Sequence, residues 1–560
     1  MHTTARGSTG RRGRTLRRVI LIVAANAACA LVLWKVAGPR SSAASATATP
    51  SAAETSRAPS SDGPRATVDT LANPAPRPPR SAPKTDRELS ARVRAEVQRA
   101  QRKAEQETKG KLAASQVQVA VHVRALSTAD DVVAVNADRP LRPASNMKLV
   151  TTAAALVSLG PDWSFETRFE SGRVIEDGTL RGDLVVRAGA DPLYDEESDG
   201  SVERYFAPVA RELVRQGISR IGGDLVLDEG EFQPPAPGPA WPADNQHWNE
   251  YCALAAGFSV NAGCLTAVVK PGGAAGRPAV VRVEPREHGL APAFGVETGA
   301  PKSSLSIRVD ALHGAARVEG SIPRDVESYT VRFAAPDPVA LFGASLRGAL
   351  ERHGVEVLGA VRRARGVALA NGVLRASIRT PISAVLAPIN TDSNNPCADQ
   401  LFLALGRAVA GVGTRAGGRA ASARALAALS VDSAGLVQVD GSGLSRDNRV
   451  SARQITALLE AVLERDERTA QLYLDSLAVG NESGTLDDRM RAPELVGRVH
   501  AKTGFIAGTS ALSGVLDTAS GERLVFSILV EYPAFDGLNR SCWKPMQDAI
   551  CVALATSGGG

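Results

Sequence analysis

Ser145 and Lys148 stand three residues apart at the head of an apolar run that predicts a helix. Residues i and i+3 share one face of a helix, so the Lys148 amine can reach the Ser145 hydroxyl. A serine hydroxyl is a weak nucleophile until a base takes its proton, and a lysine removed from water can be that base. The pair therefore predicts a nucleophile and its base, although this spacing alone is also common on solvated helices.

Two later segments could complete such a site. Ser393 and Asn395 are expected at the start of a helix, where polar side chains could equally form an ordinary N-cap. Lys502, Thr503 and Gly504 are expected at the end of a strand, where a lysine before a turn is equally ordinary. Three such segments in this order, each on a suitable element, predict one serine-enzyme site.

The elements that position these residues follow from hydrophobic periodicity. Alternating valines at 117–123 and a second run at 132–135 predict a hairpin before the Lys148 helix. Strands at both ends of the folded chain with helices between them predict an α+β sheet domain built from its two ends. Further helices are expected at 86–110, 202–216, 395–409, 419–428, 452–464 and 546–554, and strands at 497–502 and 511–530.

The region between the first two motifs has short strands and turns. Two Gly-Asp pairs, at 182–183 and 223–224, each precede an apolar run and predict two hairpin starts. This region must leave the catalytic domain and return as one or two inserted domains. The expected organisation is a basic tail with a membrane anchor or signal at 1–40, a disordered Ala/Ser/Pro linker at 41–85, catalytic segments at 86–165 and 375–556, and a β-rich insertion at 166–374.

The N-terminus predicts the compartment. Six arginines within the first eighteen residues precede an apolar run at 19–37. This pattern is typical of an export signal or anchor whose basic end stays in the cytoplasm. A small-x-small cleavage site lies well beyond the run, which favours an uncleaved anchor over a cleaved signal. We expect the folded body on the periplasmic or extracytoplasmic face, tethered to the inner membrane by residues 19–37.

Composition argues against several other functions. The net charge of +6 is concentrated in the N-terminal tail, so no nucleic-acid partner is expected. The seven histidines show no metal-ligand pattern and none of the six cysteines lies in a CxxC, so neither a metal nor a cofactor is expected. In an oxidising compartment Cys252 and Cys264, which frame a short loop, are the best candidates for a disulfide.

With these motifs, the chain resembles the D-alanyl-D-alanine carboxypeptidase/endopeptidase family, the class C low-molecular-mass penicillin-binding proteins, over roughly residues 112–556. The segments 136–140, 440–446, 484–486 and 498–504 and the long insertion also resemble that family. The resemblance implies a β-lactamase/transpeptidase-like fold and peptidoglycan stem peptides as substrate. It further implies hydrolysis at D-Ala-D-Ala termini or D-Ala–diaminopimelate cross-links, with β-lactam antibiotics as covalent inhibitors.

The resemblance and the chemistry together assign roles to the first two motifs. Ser145 would attack the carbonyl of the penultimate D-Ala and form an acyl-enzyme, and Lys148 would take its proton. Partial burial and the positive charge of Lys502 should lower the pKa of Lys148 toward neutrality. Ser393 would relay the proton to the leaving amine, and Asn395 would orient Lys148 and the substrate amide.

The third motif is expected to bind substrate. Lys502 and Thr503 would hold the terminal carboxylate, and Gly504 would let the strand approach the substrate closely. The backbone N–H groups of Ser145 and Phe505 would form the oxyanion hole. Phe505 stands where the family commonly has threonine, so a hydroxyl that could help to bind carboxylate is missing. This departure could favour larger, internal substrates.

Two alternatives remain at this point. A serine β-lactamase would need a group that activates the deacylating water, and the sequence has no Glu-x-x-x-Asn loop of that kind. The size of the chain and its insertion also oppose that alternative. A wall-binding scaffold or β-lactam sensor would be acylated without turning over, and Phe505 is the feature that supports it.

Overall fold

The structure, a computed structural model, describes residues 86–557. Its helices are α1 (Arg87–Glu107), α2 (Met147–Leu159), α3 (Glu203–Arg215), α4 (Pro338–Arg352), α5 (Ser383–Asn390), α6 (Asn395–Ala410), α7 (Arg415–Ala428), α8 (Ala452–Leu463), α9 (Glu467–Asp475) and α10 (Lys544–Ala555). The tail, anchor and linker expected at 1–85 lie outside the described residues. Within 86–557, no helix is both long enough and apolar enough to span a bilayer.

The strands fall into two groups along the chain. At the two ends of the described chain are β1 (Gln118–Ala125), β2 (Asp131–Val135), β18 (Ala478–Val479), β19 (Val499–Ile506), β20 (Thr509–Asp517) and β21 (Arg523–Glu531). Between them are β3 (Ser164–Ser171), β4 (Ile175–Glu176), β5 (Thr179–Leu180), β6 (Leu184–Arg187), β7 (Arg220–Ile221), β8 (Leu225–Asp228), β9 (Cys264–Lys270), β10 (Val280–Glu284), β11 (Ala291–Gly299), β12 (Ser306–Asp310), β13 (Ala315–Pro323), β14 (Tyr329–Ala334), β15 (Glu356–Val357), β16 (Val361–Ala364) and β17 (Val373–Pro381).

The first group forms one antiparallel sheet in the order β18-β19-β20-β21-β1-β2. Successive side chains of a strand point to opposite faces, and both faces of this sheet are apolar. On β21, Phe526 and Ile528 join a core with α1 and α10, whereas Val525 and Leu529 join a core with α2 and the helices around it. The sheet assembled from both ends of the folded chain, expected from the sequence, is confirmed.

The helix that carries Lys148 lies in the middle of the second core. All eleven residues from Met147 to Val157 are buried. Its alanines at 153–155 occupy little space, so α6, α7, α8 and α9 can pack around it at close range. The buried hydroxyl of Tyr473, on α9, donates to the carbonyl of Leu149 at 3.0 Å. The position of α2 is therefore fixed from several directions.

The middle region forms its own sheets around a separate core. Strands β3 and β17 pair antiparallel, so the chain enters and leaves this region at adjacent positions. The two Gly-Asp segments precede β6 and β8, which are parallel neighbours, so the predicted hairpin starts are wrong. Parallel neighbours need a crossover connection, and α3 provides it. The division of the chain into catalytic and inserted domains stays a prediction.

One helix of this region was not predicted. Helix α4 begins after Asp337, whose side chain accepts from the N–H groups of Val339 and Ala340, and Pro338 is its first residue. Asp before Pro is a typical helix start, so the sequence contains the signal. The many short strands around it favoured a β-rich interpretation, with a helix only at 202–216.

The predicted disulfide between Cys252 and Cys264 is wrong, because every cysteine in 86–557 is a free, buried thiol. The side chain of Cys252 packs with Trp241 and Leu444, whereas that of Cys264 packs with Ala253 and Ala334. The two thiols thus face different apolar clusters, although their backbones border the same loop.

Candidate active site

Ser145 lies in the short 3-10 turn Ala144–Asn146, immediately before α2. Its Oγ is 3.0 Å from the Nζ of Lys148, which is fully buried. Ala144 has φ 46°, in the left-handed region that non-glycine residues rarely adopt. The sharp turn thus presents Ser145 at the end of a helix that is otherwise packed on every side.

Two further oxygens contact the Lys148 amine. The side-chain Oδ1 of Asn395 accepts a hydrogen bond from Nζ at 2.6 Å, and the backbone carbonyl of Ser442 accepts one at 2.8 Å. The Nδ2 of Asn395 donates to the carbonyl of Tyr251 at 3.0 Å. Because Tyr251 offers an acceptor to the amide nitrogen, the amide oxygen of Asn395 must face the lysine.

Burial lowers the pKa of Lys148 to about 7, while the charges of Asp399 and Asp440 oppose that shift. The pKa of Lys502 falls well below its ordinary value, first through burial and then through repulsion by Lys148, with Asp392 opposing. Burial of Lys148 was expected to be partial and is complete. The two lysines repel each other, which favours the neutral form of each amine.

The second motif stands at the start of α6, as predicted. Asn394 is the N-cap, and its side chain accepts from the N–H of Cys397 at 3.0 Å. Asn395 is then the first helical residue, which directs its side chain toward Lys148. Ser393, just before the cap, has φ 64° and makes no side-chain hydrogen bond within residues 86–557.

The third motif lies on β19, and one direct bond joins it to the first. The Nδ2 of buried Asn146 donates to the carbonyl of Lys502 at 2.9 Å. A Cβ on Gly504 would lie 2.8 Å from the carbonyl oxygen of Pro143. The glycine therefore admits the turn that carries Ser145, which is a different reason from the substrate contact expected from the sequence.

The edge of β19 beside the site is open. Strand β18 pairs only with His500 and Ala501, so among the described strands Thr503 and Phe505 pair on one side, with β20. The Phe505 side chain is 56% exposed. The Nζ of Lys502 donates to the carbonyl of Thr503 at 3.0 Å, which places the amine along this strand. An unpaired edge offers backbone N–H and C=O groups to an extended peptide.

The contact of Lys148 with the loop that supplies the Ser442 carbonyl is not among those expected from the sequence. Asp440, at its start, accepts from the N–H groups of Gly443 and Ser445 at 2.8 and 2.7 Å. A Cβ on Gly443 would lie 1.8 Å from the carbonyl oxygen of Ala144, and its φ is 84°. The glycine thus lets the loop press against the turn of Ser145, and its presence was the available signal.

The middle region also reaches the site. The Nε1 of Trp241 donates to Oδ2 of Asp440 at 2.9 Å, and the Ser445 hydroxyl donates to the carbonyl of Pro239 at 2.7 Å. Together with the Tyr251 carbonyl, these bonds attach one segment of the middle region to both acceptors of Lys148. Residues 86–557 contain no group of three or more His, Cys, Asp or Glu side chains that could hold a metal ion.

Comparisons with known proteins point to one family. Residues 103–551 match the D-Ala-D-Ala carboxypeptidase 3 (S13) family. The chain is 34% identical over 451 residues to a D-alanyl-D-alanine carboxypeptidase of an Actinomadura species, covering 77% of this chain and 80% of the relative. It is 28% identical over 407 residues to the D-alanyl-D-alanine carboxypeptidase DacB of Haemophilus influenzae, covering 68% of this chain and 79% of the relative.

The fold is also that of a solved relative. The crystal structure of penicillin binding protein 4 from Haemophilus influenzae matches 80% of this chain and 98% of its own, with a TM-score of 0.66 at 23% identity. This likeness confirms the predicted α+β fold. Since the family match spans most of the sequence, the chain belongs to the D-Ala-D-Ala carboxypeptidase 3 (S13) family.

Proposed function

We propose that this protein is a penicillin-sensitive acyl-serine DD-peptidase. It hydrolyses D-Ala-D-Ala termini, D-Ala–diaminopimelate cross-links, or both, in peptidoglycan stem peptides. The observation that carries the proposal is the fully buried Lys148 amine, 3.0 Å from the Ser145 hydroxyl and with its pKa lowered to about 7. Such a lysine is neutral often enough near pH 7 to accept a proton from serine.

The partners of Lys148 also set the direction of proton transfer. A neutral amine has two N–H groups and one lone pair. The Oδ1 of Asn395 and the carbonyl of Ser442 can only accept, so they take the two N–H groups. The lone pair is then left for the third partner, the Ser145 hydroxyl, which can donate. Lys148 is thereby arranged to remove the proton of Ser145 as it attacks the D-Ala carbonyl.

Ser393 acts after that attack. The proton on Lys148 must reach the leaving amine, and a hydroxyl can accept and donate in turn. The Ser393 hydroxyl makes no hydrogen bond within the described part of the chain, so it can serve as that relay. Asn395 keeps Lys148 in place and orients the substrate amide.

The open edge of β19 binds the substrate as an added strand. The N–H groups of Phe505 and Ser145 form the oxyanion hole for the tetrahedral intermediate. Thr503 and Lys502 hold the terminal carboxylate, which adds a negative charge to that of Asp392 near the buried Lys502 amine. Binding of a carboxylate therefore favours the charged form of Lys502, since an opposite charge stabilises the ammonium.

The position of the protein in the cell is part of the proposal. Residues 19–37 tether it to the cytoplasmic membrane and the folded body works outside, where peptidoglycan lies. The basic residues before the apolar run support this orientation. Full-length chain should stay with membranes after a high-salt wash, whereas a chain starting at residue 86 should be recovered in solution. Full-length chain in the soluble fraction would contradict the tether.

Substitution of Ser145 by alanine should abolish hydrolysis. With cross-linked muropeptides, the wild type should release free D-Ala, convert dimers to monomers, or both, and Ser145→Ala should lower each rate by about a thousandfold or more. Ser158→Ala is the matched control, because Ser158 lies on α2, the helix that follows Ser145, and its buried hydroxyl has no hydrogen-bond partner within residues 86–557. Chromatography of the products measures both reactions.

Two results of that assay would change the conclusion. If penicillin labels Ser145 but the wild type forms no product from muropeptides, the protein is a β-lactam sensor. If the wild type instead destroys penicillin with rapid turnover, it acts as a β-lactamase.

Acylation should depend on pH through Lys148. The amine is a base only when neutral, and burial lowers its pKa to about 7. The rate of acylation by a fluorescent penicillin should therefore be low at about pH 5 and rise about tenfold per pH unit. It should level off above about pH 7, and stopped-flow measurement up to about pH 9 tests this. If the acylation rate instead rises around the ordinary pKa of lysine, the assignment of Lys148 as the base is contradicted.

Substitution of Phe505 by threonine should shift the substrate preference. A hydroxyl at this exposed position adds a hydrogen bond to a terminal carboxylate, which raises D-Ala release relative to dimer cleavage by about tenfold. Phe505→Ala is the control, because it removes the ring without adding a donor. Equal ratios for the two variants would show that the hydroxyl is not the cause.

A further inference from the structure

One side chain links the two groups that accept hydrogen bonds from Lys148, the amide oxygen of Asn395 and the backbone carbonyl of Ser442. Asp399 lies on α6 one turn after Asn395, and its Oδ1 accepts from the N–H groups of Gly441 and Ser442 at 2.8 and 2.9 Å. All three residues at these bonds are buried. We propose that Asp399 is a positioning residue for the lysine base, because it holds the Ser442 loop on the helix that carries Asn395. This inference rests on the proposed function.

The contacts of the loop show why one carboxylate can have this effect. A Cβ on Gly441 would lie 2.5 Å from the carbonyl oxygen of Ala398, so the loop runs directly against the backbone of α6. Within the loop, Asp440 accepts from the N–H of Gly443, in the same peptide unit as the Ser442 carbonyl. Asp440 thus sets the rotation of that peptide, whereas Asp399 sets the distance between the loop and α6.

That distance matters because the amine lies between the two elements. Lys148 Nζ lies 2.6 Å from Asn395 Oδ1 on α6 and 2.8 Å from the Ser442 carbonyl oxygen on the loop. If the loop moved away, one N–H of the neutral amine would lose its acceptor. The lone pair would then no longer be directed at Ser145 alone, and proton transfer would lose its preferred direction.

The charge of Asp399 has a second, separable effect. Burial raises the pKa of Asp399 to about 7, and the charge of Asp399 in turn raises the pKa of Lys148. Removal of that charge should therefore lower the pKa of Lys148. The other titratable or charged groups that face these two side chains are Asp440, Cys397, Arg415 and Lys502.

Two substitutions separate the hydrogen bonds from the charge. Asp399→Asn keeps an oxygen acceptor for both N–H groups and removes the charge. Its maximal rate of acylation by fluorescent penicillin, the plateau at high pH, should stay within about threefold of wild type. The rising part of its pH profile, the limb, should move to lower pH. Asp399→Ala removes the acceptor, so the plateau rate should fall about tenfold to a hundredfold with unchanged initial penicillin affinity.

A control and two outcomes complete the test. Asp228→Asn also neutralises a buried aspartate that accepts from backbone N–H groups, those of Gly230, Gly366 and Val367, but in the insertion. It should change neither the plateau nor the limb. Wild-type kinetics in Asp399→Ala overturn the proposal. If that variant does not fold, a plateau in Asp399→Asn more than about tenfold below wild type overturns it, because the bonds were kept.

The same assay separates this inference from the proposed function. If wild type is not acylated, or if Ser145→Ala is acylated equally, the proposed function fails. If wild type is acylated at Ser145 and only the Asp399 variants behave unexpectedly, the positioning role alone fails.

Discussion

The Lys148 amine is fully out of water, and the other features of the site follow from how its charge is handled. A buried ammonium is unfavourable unless other groups replace its hydration. Here all three of its partners, Ser145, Asn395 and Ser442, are uncharged oxygens, so the neutral form becomes accessible near pH 7. A carboxylate bonded directly to the amine would have stabilised the charge and removed the base. Asp399 bonds to the Ser442 loop and not to the amine itself, so it shapes the site without holding a proton on Lys148.

Strained backbone in two of the three motifs fits this requirement. Ala144 and Ser393 both have left-handed φ values, a conformation that costs about 1–3 kcal/mol for each such residue. Ala144 directly precedes Ser145, and Ser393 is itself a residue of the proposed site. Each lies just before a helix, α2 or α6. The bond from Asn146 to the carbonyl of Lys502 and the close approach of Gly443 hold the first turn in place. The nucleophile is therefore positioned by the fold before any substrate arrives.

The sequence predicted the parts of the site that depend on residue type at short range. Each of the three motifs has a local signature: a serine and a lysine one turn apart, an N-cap, and a lysine on a strand. The structure brings all three segments together. The Ser442 and Tyr251 carbonyls have no such signature, because any residue carries a carbonyl and only the tertiary fold decides where it points. The disulfide between Cys252 and Cys264 failed for the same reason: proximity along the chain does not determine which way two side chains face.

The middle region takes part in the arrangement around the base. The Tyr251 carbonyl determines which end of the Asn395 amide meets Lys148, and Trp241 holds Asp440, which orients the peptide of Ser442. Both acceptors of the amine thus depend on residues that are distant in the sequence. Tyr251 lies 144 positions from Asn395, and Trp241 lies 199 positions from Asp440. A region that only covered the cleft would not need to contact these two groups. Because it does, the orientation of the lysine lone pair depends on this region as well as on the helices that carry the motifs.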